Sequence, residues 1–415
     1  MADVVVVGAG VAGLVCAADL TAAGVETLVL ESSDGVGGRV RSDLLDGYRL
    51  DRGFQILLLA YPQVQKRLDL ARLGLGRFAP GAITRTADGR LHRLSDPRRV
   101  PADALRTALS SVASARDKLN AARLILDVCA HDPKELLRRP DRTTAERLEA
   151  AGLSPGFIAA FWRPLFAGIQ LDPELEVSAR RFEVILRMIA FGDTALPAGG
   201  LQAVSDQLAD RVPASALRTG AAVTEAGPGR VTLEGGETIA AQAIVVATDG
   251  PSAHRLLPDL VEDPGSRAAA CCWFALPSSP LRRPSLILDG GGAGPALNVV
   301  VMSEVQPAYA PPGRALIAAA VPGAQALSDN LTERVRQQLA GWLDADTSDL
   351  TPLRTDVIPH GQPEQRPPLR PRRRVSLGAG LFVCGDHRDT ASLQGAMFSG
   401  ERTASAVLRH LAGGG

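Results

Sequence analysis

Lysine is nearly missing from this chain: Lys66, Lys118 and Lys134 are the three present, and none follows residue 134. Aromatic side chains make up 4% of the 415 residues, so any cluster of them stands out. Neither sign of charge prevails, because 45 Lys and Arg face 45 Asp and Glu. No net field therefore draws the chain to nucleic acid or to an acidic membrane surface. The five cysteines (Cys16, Cys129, Cys271, Cys272, Cys384) are scattered and form no C-x-x-C, which argues against a disulfide framework and a metal site; no metal is expected. Long hydrophobic runs are lacking too. Val4 to Ala18 has no basic segment before it and is broken by Asp19, too short for a membrane span or a signal peptide. The chain is therefore expected to be cytoplasmic.

Glycine, by contrast, is abundant and concentrated where it matters. Val4 to Val7 is an apolar β-branched run of the kind that forms a buried parallel strand. Gly8-Ala9-Gly10-Val11-Ala12-Gly13 follows at once, then a helix to about Ala23 and a second strand, Glu26 to Leu30, ending on Glu31. This is a βαβ dinucleotide-binding unit. Gly8 makes the turn, Gly10 lets the backbone approach a pyrophosphate, Gly13 lets helix and strand pack closely, and the helix N-terminus supplies N–H groups and positive potential. Glu31, with Ser32 beside it, is placed to accept hydrogen bonds from a ribose. A carboxylate there repels a 2′-phosphate, which leaves FAD or NAD and excludes NADP.

The next segment, Asp34-Gly35-Val36-Gly37-Gly38-Arg39, resembles the second fingerprint of the glutathione-reductase-like flavoproteins, in particular the amine oxidase, protoporphyrinogen oxidase and phytoene desaturase superfamily. Asp51-Arg52-Gly53-Phe54-Gln55 resembles the segment that passes the isoalloxazine ring in that family. Pro197-Ala198-Gly199-Gly200 resembles its return to the FAD domain. Gly385-Asp386 followed by Gln394-Gly395-Ala396-Met397 and Ser399-Gly400 resembles its closing motif. The resemblance implies non-covalent FAD, because no cysteine falls between Gly385 and Gly400. It further implies contacts at Gly8, Gly10, Val11, Ala12, Gly13, Glu31, Ser32, Gly37, Gly38, Arg39, Gly53, Phe54 and Gln55. Val223 is expected beside the adenine, Ala247 and Thr248 under the nucleotide, and Gly385, Asp386, Gln394, Gly395, Ala396 and Met397 near the ribityl chain and the flavin.

The expected fold is α/β: a Rossmann-like FAD-binding domain with a mixed-sheet substrate domain and a helical insertion. The FAD domain is discontinuous over residues 1–60, 195–255 and 376–415; the substrate sheet comprises 77–98 and 256–375; the helical insertion or cap covers 99–194. Strand-like runs at Cys272 to Leu276, Leu286 to Leu288, Leu297 to Met302 and Ala315 to Val321, with a helix from Leu327 to Leu343, belong to the substrate sheet. In the insertion, Phe161-Trp162-Arg163-Pro164-Leu165-Phe166 concentrates aromatics, so Trp162, Arg163 and Phe166 are candidates for a substrate pocket. The insertion also offers amphipathic helices for which membrane contact is left open.

Two departures from the family bear on the reaction. Its amine oxidases usually place a lysine near the flavin N5 and often an aromatic just before the G-A motif. This chain has no lysine after Lys134, and no aromatic lies between Asp386 and Gly395. The expected activity is therefore a phytoene-desaturase-like dehydrogenase or isomerase, or a protoporphyrinogen-oxidase-like enzyme. It would take a hydride from a C–H bond of a largely apolar small molecule and pass electrons to oxygen or a quinone. A flavin amine oxidase making imine and peroxide, and a non-catalytic FAD-binding scaffold, are the alternatives. Gln55 and His360 are the candidate catalytic side chains, Gln55 to orient flavin or substrate and His360 as acid or base. Oligomeric state is left undetermined.

Overall fold

The computed structural model of the protein describes residues 2–343 and 346–413. Val4–Val7 is the centre of a six-stranded sheet whose order is Leu217–Arg218, Thr27–Leu30, Val4–Val7, Ala243–Val246, Leu381–Val383, Ser376–Gly378. All pairings are parallel except the last, which is a local hairpin. The unbroken valine run is explained by burial on both faces. Val4 and Val6 pack with the helices Val11–Ala22 and Leu393–Gly413, while Val5 and Val7 pack toward the three-stranded meander Val223–Gly227, Arg230–Leu233, Thr238–Ala240. The two helices cross closely at Gly400, where a β-carbon would lie 2.3 Å from the carbonyl oxygen of Ala12. First and last segments of the chain are thereby pressed into one layer.

A second, seven-stranded sheet runs in the order Thr351–Pro363, Ser266–Leu276, Ala315–Pro322, Asn298–Val301, Leu286–Asp289, Ala82–Arg85, Leu91–Leu94. Alternation sorts its side chains. Cys271, Trp273, Val300 and Ala318 join the same core as the first sheet's helices, and Cys272, Phe274, Val299 and Ile317 pack toward the helix Leu331–Leu343. Cys271 and Cys272 are thus plain core. The strand Thr351–Pro363 was not expected from the sequence. Its Pro352, Pro359 and Gly361 read as loop, but it lies at the sheet's edge, where proline is tolerated.

Residues 101–191 are helical. Leu124, Val128, Leu148, Phe157, Trp162, Phe166, Phe182 and Ile185 form their own core. The helices Ala115–Ala130, Thr144–Ala150 and Ala179–Phe191 are tied by Arg139 and Arg147, which both donate to buried Glu183 (2.9 Å from Arg139 Nη1, 2.6 Å from Arg147 Nε) and to Asp127 at 2.9 Å. Outward, Leu105, Leu109, Leu119 and Leu126 stay exposed, so these helices are amphipathic without being fully covered. No described helix is long and apolar enough to cross a membrane.

Candidate active site

The helix Val11–Ala22 begins with no side-chain cap and no acid in its first turn, so its first N–H groups are unspent. Gly8 has φ +105°, and a β-carbon on Gly13 would sit 2.0 Å from the Gly8 carbonyl oxygen. Gly10 is different. Its backbone is ordinary (φ −71°, ψ 173°) and a β-carbon there would meet nothing within 4 Å. The emptiness beside Gly10 is part of a cavity, and Gly37 bridges to Gly10 from the opposite loop. This cradle of glycines and free N–H groups fits the pyrophosphate of a dinucleotide.

Glu31 is 8% exposed. Its Oε2 accepts from the Ala9 N–H at 2.8 Å, and its Oε1 accepts from the Ser33 N–H at 2.9 Å and Ser33 Oγ at 2.8 Å. The carboxylate is thus anchored at the cavity wall, where Ser32 also lies. Arg39 reaches back across the fold, donating to the Gly361 carbonyl at 2.7 Å and to Asp386 Oδ1 at 2.8 Å. Burial works to raise the Asp386 carboxyl, but the Arg39 guanidinium, aided by Arg181, holds it below the ordinary range. An ion pair therefore already joins the second and closing glycine segments.

One continuous cavity of about 1150 Å³ extends from this cradle into the helical part. Drug-sized ligand pockets span roughly 300–1,000 Å³. The volume thus exceeds what one such ligand fills. The end at the cradle includes Gly8, Gly10, Val11, Ala12, Gly38, Arg39, Val223, Ala247, Thr248, Gly385, Asp386 and Ala396. Gly53, Phe54 and Gln55 line its middle. The far end is apolar, walled by Ile125, Phe157, Phe161, Trp162, Leu165, Ile185 and Ile189. The run Ile158–Trp162 is a π-helical turn, a local widening of the helix frequent at functional sites. It sets Phe161 and Trp162 edge to face, ring centroids 5.5 Å apart.

Several expected contacts are placed otherwise. Gly13 lies behind the cradle, in the packing role expected of it. Gln394, Gly395 and Met397 do not line the cavity: Gln394 Oε1 accepts from the Gln63 N–H at 2.8 Å, a β-carbon on Gly395 would strike the Thr390 carbonyl at 1.9 Å, and Met397 is core. A helix shows one face, so Leu393 and Ala396 reach the cavity while the residues between them do not. Arg163 donates to the Pro173 carbonyl at 2.6 Å and Phe166 is fully buried behind Trp162; neither lines the cavity. His360 is also corrected. Between the pairs Arg267↔Gln362 and Ala269↔Ile358 three residues bulge opposite one, and His360, on that bulge, is exposed and bonds Ser266 Oγ at 2.8 Å. It is not among the residues of the cavity wall. Gln55 does line the cavity, yet its amide nitrogen is spent on the carbonyls of Arg39 (2.7 Å) and Arg52 (3.3 Å), holding the loop.

Other residues were missed. Tyr61, Arg181, Asp249, Ser252, Asn298, Ala391 and Ser392 also line the cavity. Burial pushes the Tyr61 hydroxyl up to about 12, against the pull of Arg181 and a bond to Ser392. His387 is 3% exposed with both ring nitrogens unpartnered, and burial depresses it to about 4, so it is neutral. The cavity's lysine among the described residues, Lys118, donates to the carbonyls of Ala108 (2.6 Å) and Ser110 (2.8 Å).

Comparison with known proteins places this geometry. The model of the family described as flavin containing amine oxidoreductase matches residues 11–408. The phytoene dehydrogenase of Streptomyces griseus is 30% identical over 292 residues, which is 61% of this chain and 55% of that protein, so the match spans about half the length of that relative. An oxidoreductase structure from Methanosarcina mazei superposes with TM-score 0.75 at 18% identity, covering 97% of this chain and 99% of the other. Wild-type putrescine oxidase bound to putrescine gives TM-score 0.69 at 18% identity, covering 98% and 99%.

Proposed function

The chain belongs to the flavin-containing amine oxidoreductase family, and from that premise we propose that it is an FAD-dependent oxidoreductase that dehydrogenates or isomerises a largely apolar small molecule at a C–C bond. One observation carries this reading: the glycine cradle and an aromatic-walled apolar chamber are a single cavity, whose one lysine among the described residues, Lys118, is tied to backbone carbonyls.

The residues that would hold FAD are those of the cradle. Gly10, Val11 and Ala12 offer N–H groups to the pyrophosphate, Glu31 accepts from the adenosine ribose, and Val223, Ala247 and Thr248 flank the adenine side. Arg39 and Asp386, already paired, meet the flavin end, where the N-terminus of the helix Leu393–Gly413 supplies positive potential. None of the five cysteines lines the cavity, in keeping with non-covalent attachment. Bound FAD supplies the acceptor for a hydride from substrate carbon. The protein orients that carbon by packing it between Phe161, Trp162, Leu165 and Ile185, and it excludes water there. Dehydrogenation would need oxygen or a quinone as electron acceptor, and isomerisation would need none.

The amine oxidase reading fares less well. Of the four carboxylates in the wall, two are paired with arginines and two are bonded to backbone N–H groups at the cradle end. Asp386 pairs with Arg39, Asp96 pairs with Arg98 at 2.7 Å, Asp249 accepts from the Ser252 N–H at 2.8 Å, and Glu31 holds its own loop. Anaerobic mixing of the holoenzyme with 1,4-dihydronaphthalene, an apolar hydride donor, and separately with putrescine tests the proposal. Bleaching of the flavin by the hydrocarbon and not by the diamine is expected. Fast bleaching by putrescine, with stoichiometric peroxide in air, would make the protein an amine oxidase; no bleaching by any donor would make it a scaffold.

A further inference from the structure

We infer that Arg181 binds a carboxylate of the substrate, so that the molecule entering the chamber is a lipophilic acid rather than a neutral hydrocarbon or an amine. The inference rests on the reading of the chamber as a substrate site.

Arg181 projects from the helix Ala179–Phe191 into the cavity wall and is 2% exposed. Its Nη2 donates to Gln362 Oε1 at 2.6 Å and to the Ala391 carbonyl at 2.7 Å. Nε and Nη1 have no partner, which leaves the Nε–H and both Nη1 hydrogens unspent. No described carboxylate pairs with it: the nearby acids are committed elsewhere, Asp386 to Arg39 at 2.8 Å and Asp172 to Arg267 at 2.7 Å. Burial lowers the guanidinium to about 10, which still leaves it charged at neutral pH. A buried, unpaired cation is costly, and a neutral glutamine would tie Gln362 to Ala391 without that cost. The charge is explained if something anionic comes to it.

Position says what that partner looks like. Ala391 lies two residues before the helix Leu393–Gly413, whose N-terminus would face the flavin, so the cation would stand where flavin and chamber meet. From Arg181 the same helix presents Ile185, Leu186 and Ile189 to the cavity, and eight residues of helix span about 12 Å. An acid with its carboxylate on Arg181 would lay an apolar body of that length against those side chains.

The test uses the FAD-loaded protein and three ten-carbon probes, decanoate, methyl decanoate and decylamine, titrated by calorimetry and by the change in the flavin spectrum. Decanoate is expected to bind about tenfold or more tighter than either of the others, the scale of a charge-assisted hydrogen bond. Arg181→Gln should remove that preference and leave the ester's affinity alone, while Arg181→Lys keeps part of it. Equal binding of acid, ester and amine to the wild type would overturn the inference even if the glutamine variant does not fold. So would unchanged decanoate binding in Arg181→Gln together with a shifted flavin reduction potential, which would assign the cation to the flavin itself. If decanoate binds through Arg181 but no C–H donor ever reduces the flavin, the inference stands and the oxidoreductase reading falls.

Discussion

Replacing Gly10 by alanine separates the cofactor from the fold. The residue sits at φ −71°, ψ 173°, a conformation alanine adopts freely, and the new β-carbon meets no protein atom within 4 Å. The apoprotein should therefore fold as well as wild type, or gain about 0.4–1 kcal/mol from a stiffer unfolded chain. The same β-carbon occupies the cradle. It would push a pyrophosphate away from the N–H groups of the first helical turn, and each charge-assisted bond lost is worth roughly 1.5–3 kcal/mol. Affinity for FAD should fall by about 10- to 100-fold or more. Gly13→Ala makes the opposite prediction: its β-carbon would lie 2.0 Å from the Gly8 carbonyl, so helix and strand must part and the fold itself loses roughly 1–3 kcal/mol or more. Urea unfolding of the apoproteins and quenching of FAD fluorescence measure the two quantities. Gly10→Ala with wild-type FAD affinity, or with an unstable apoprotein, would refute the assignment of the cradle.

Titration supplies a second pair of tests. His387 is depressed by burial to about 4, so between there and its ordinary value near 6.5 the unfolded chain takes up a proton that the folded one refuses; stability should rise with pH through that window. The size is about 3 kcal/mol, and His387→Leu should flatten that limb of the stability profile. Asp51 has the opposite sign. Burial outweighs its bonds to Ser42 Oγ, Leu201 N and Tyr309 Oη and raises it to about 6, so its contribution is lost as pH climbs from the ordinary carboxylate range through that value. Asp51→Asn, which can still accept twice and donate to Tyr309, should raise the urea midpoint at pH 8 and leave it unchanged at pH 4. Ile185→Trp should fill the chamber, keeping FAD content while abolishing bleaching by apolar donors; unaltered bleaching would place the substrate elsewhere.

The nucleotide end of the site was legible because backbone builds it. Glycine at fixed intervals, a β-branched run and one acid at the end of the next strand have few other uses, and the closing Gly385-Asp386 and Ser399-Gly400 segments have geometric reasons that survive in the structure. The chamber was legible only in part, through the aromatic run that holds Trp162, because the rest of its wall is apolar side chains at helical spacing, which is also the pattern of any core. Phe161 and Leu165 reach the cavity while Phe166, equally aromatic, lies behind it. His360 was misplaced by a bulge that no local pattern announces. Arg181 did leave a signal: it falls on the same helix face as Ile185, Met188 and Ile189, and an arginine within an apolar stripe is a charge facing inward. In Ala179-Arg180-Arg181-Phe182-Glu183 it reads instead as one more surface charge.

The proposed function requires a flavin held in the cradle, without a covalent bond and without an oxygen-reactive lysine beside it. The most direct test is the spectrum of the purified protein through anaerobic photoreduction and the readmission of air, followed by denaturation and recovery of the chromophore. Oxidised flavin bands, slow return of colour in air and release of intact FAD are predicted. No flavin bands, with NAD bound instead, would contradict it at the root, and rapid reoxidation would return oxidase chemistry, amines included, to first place.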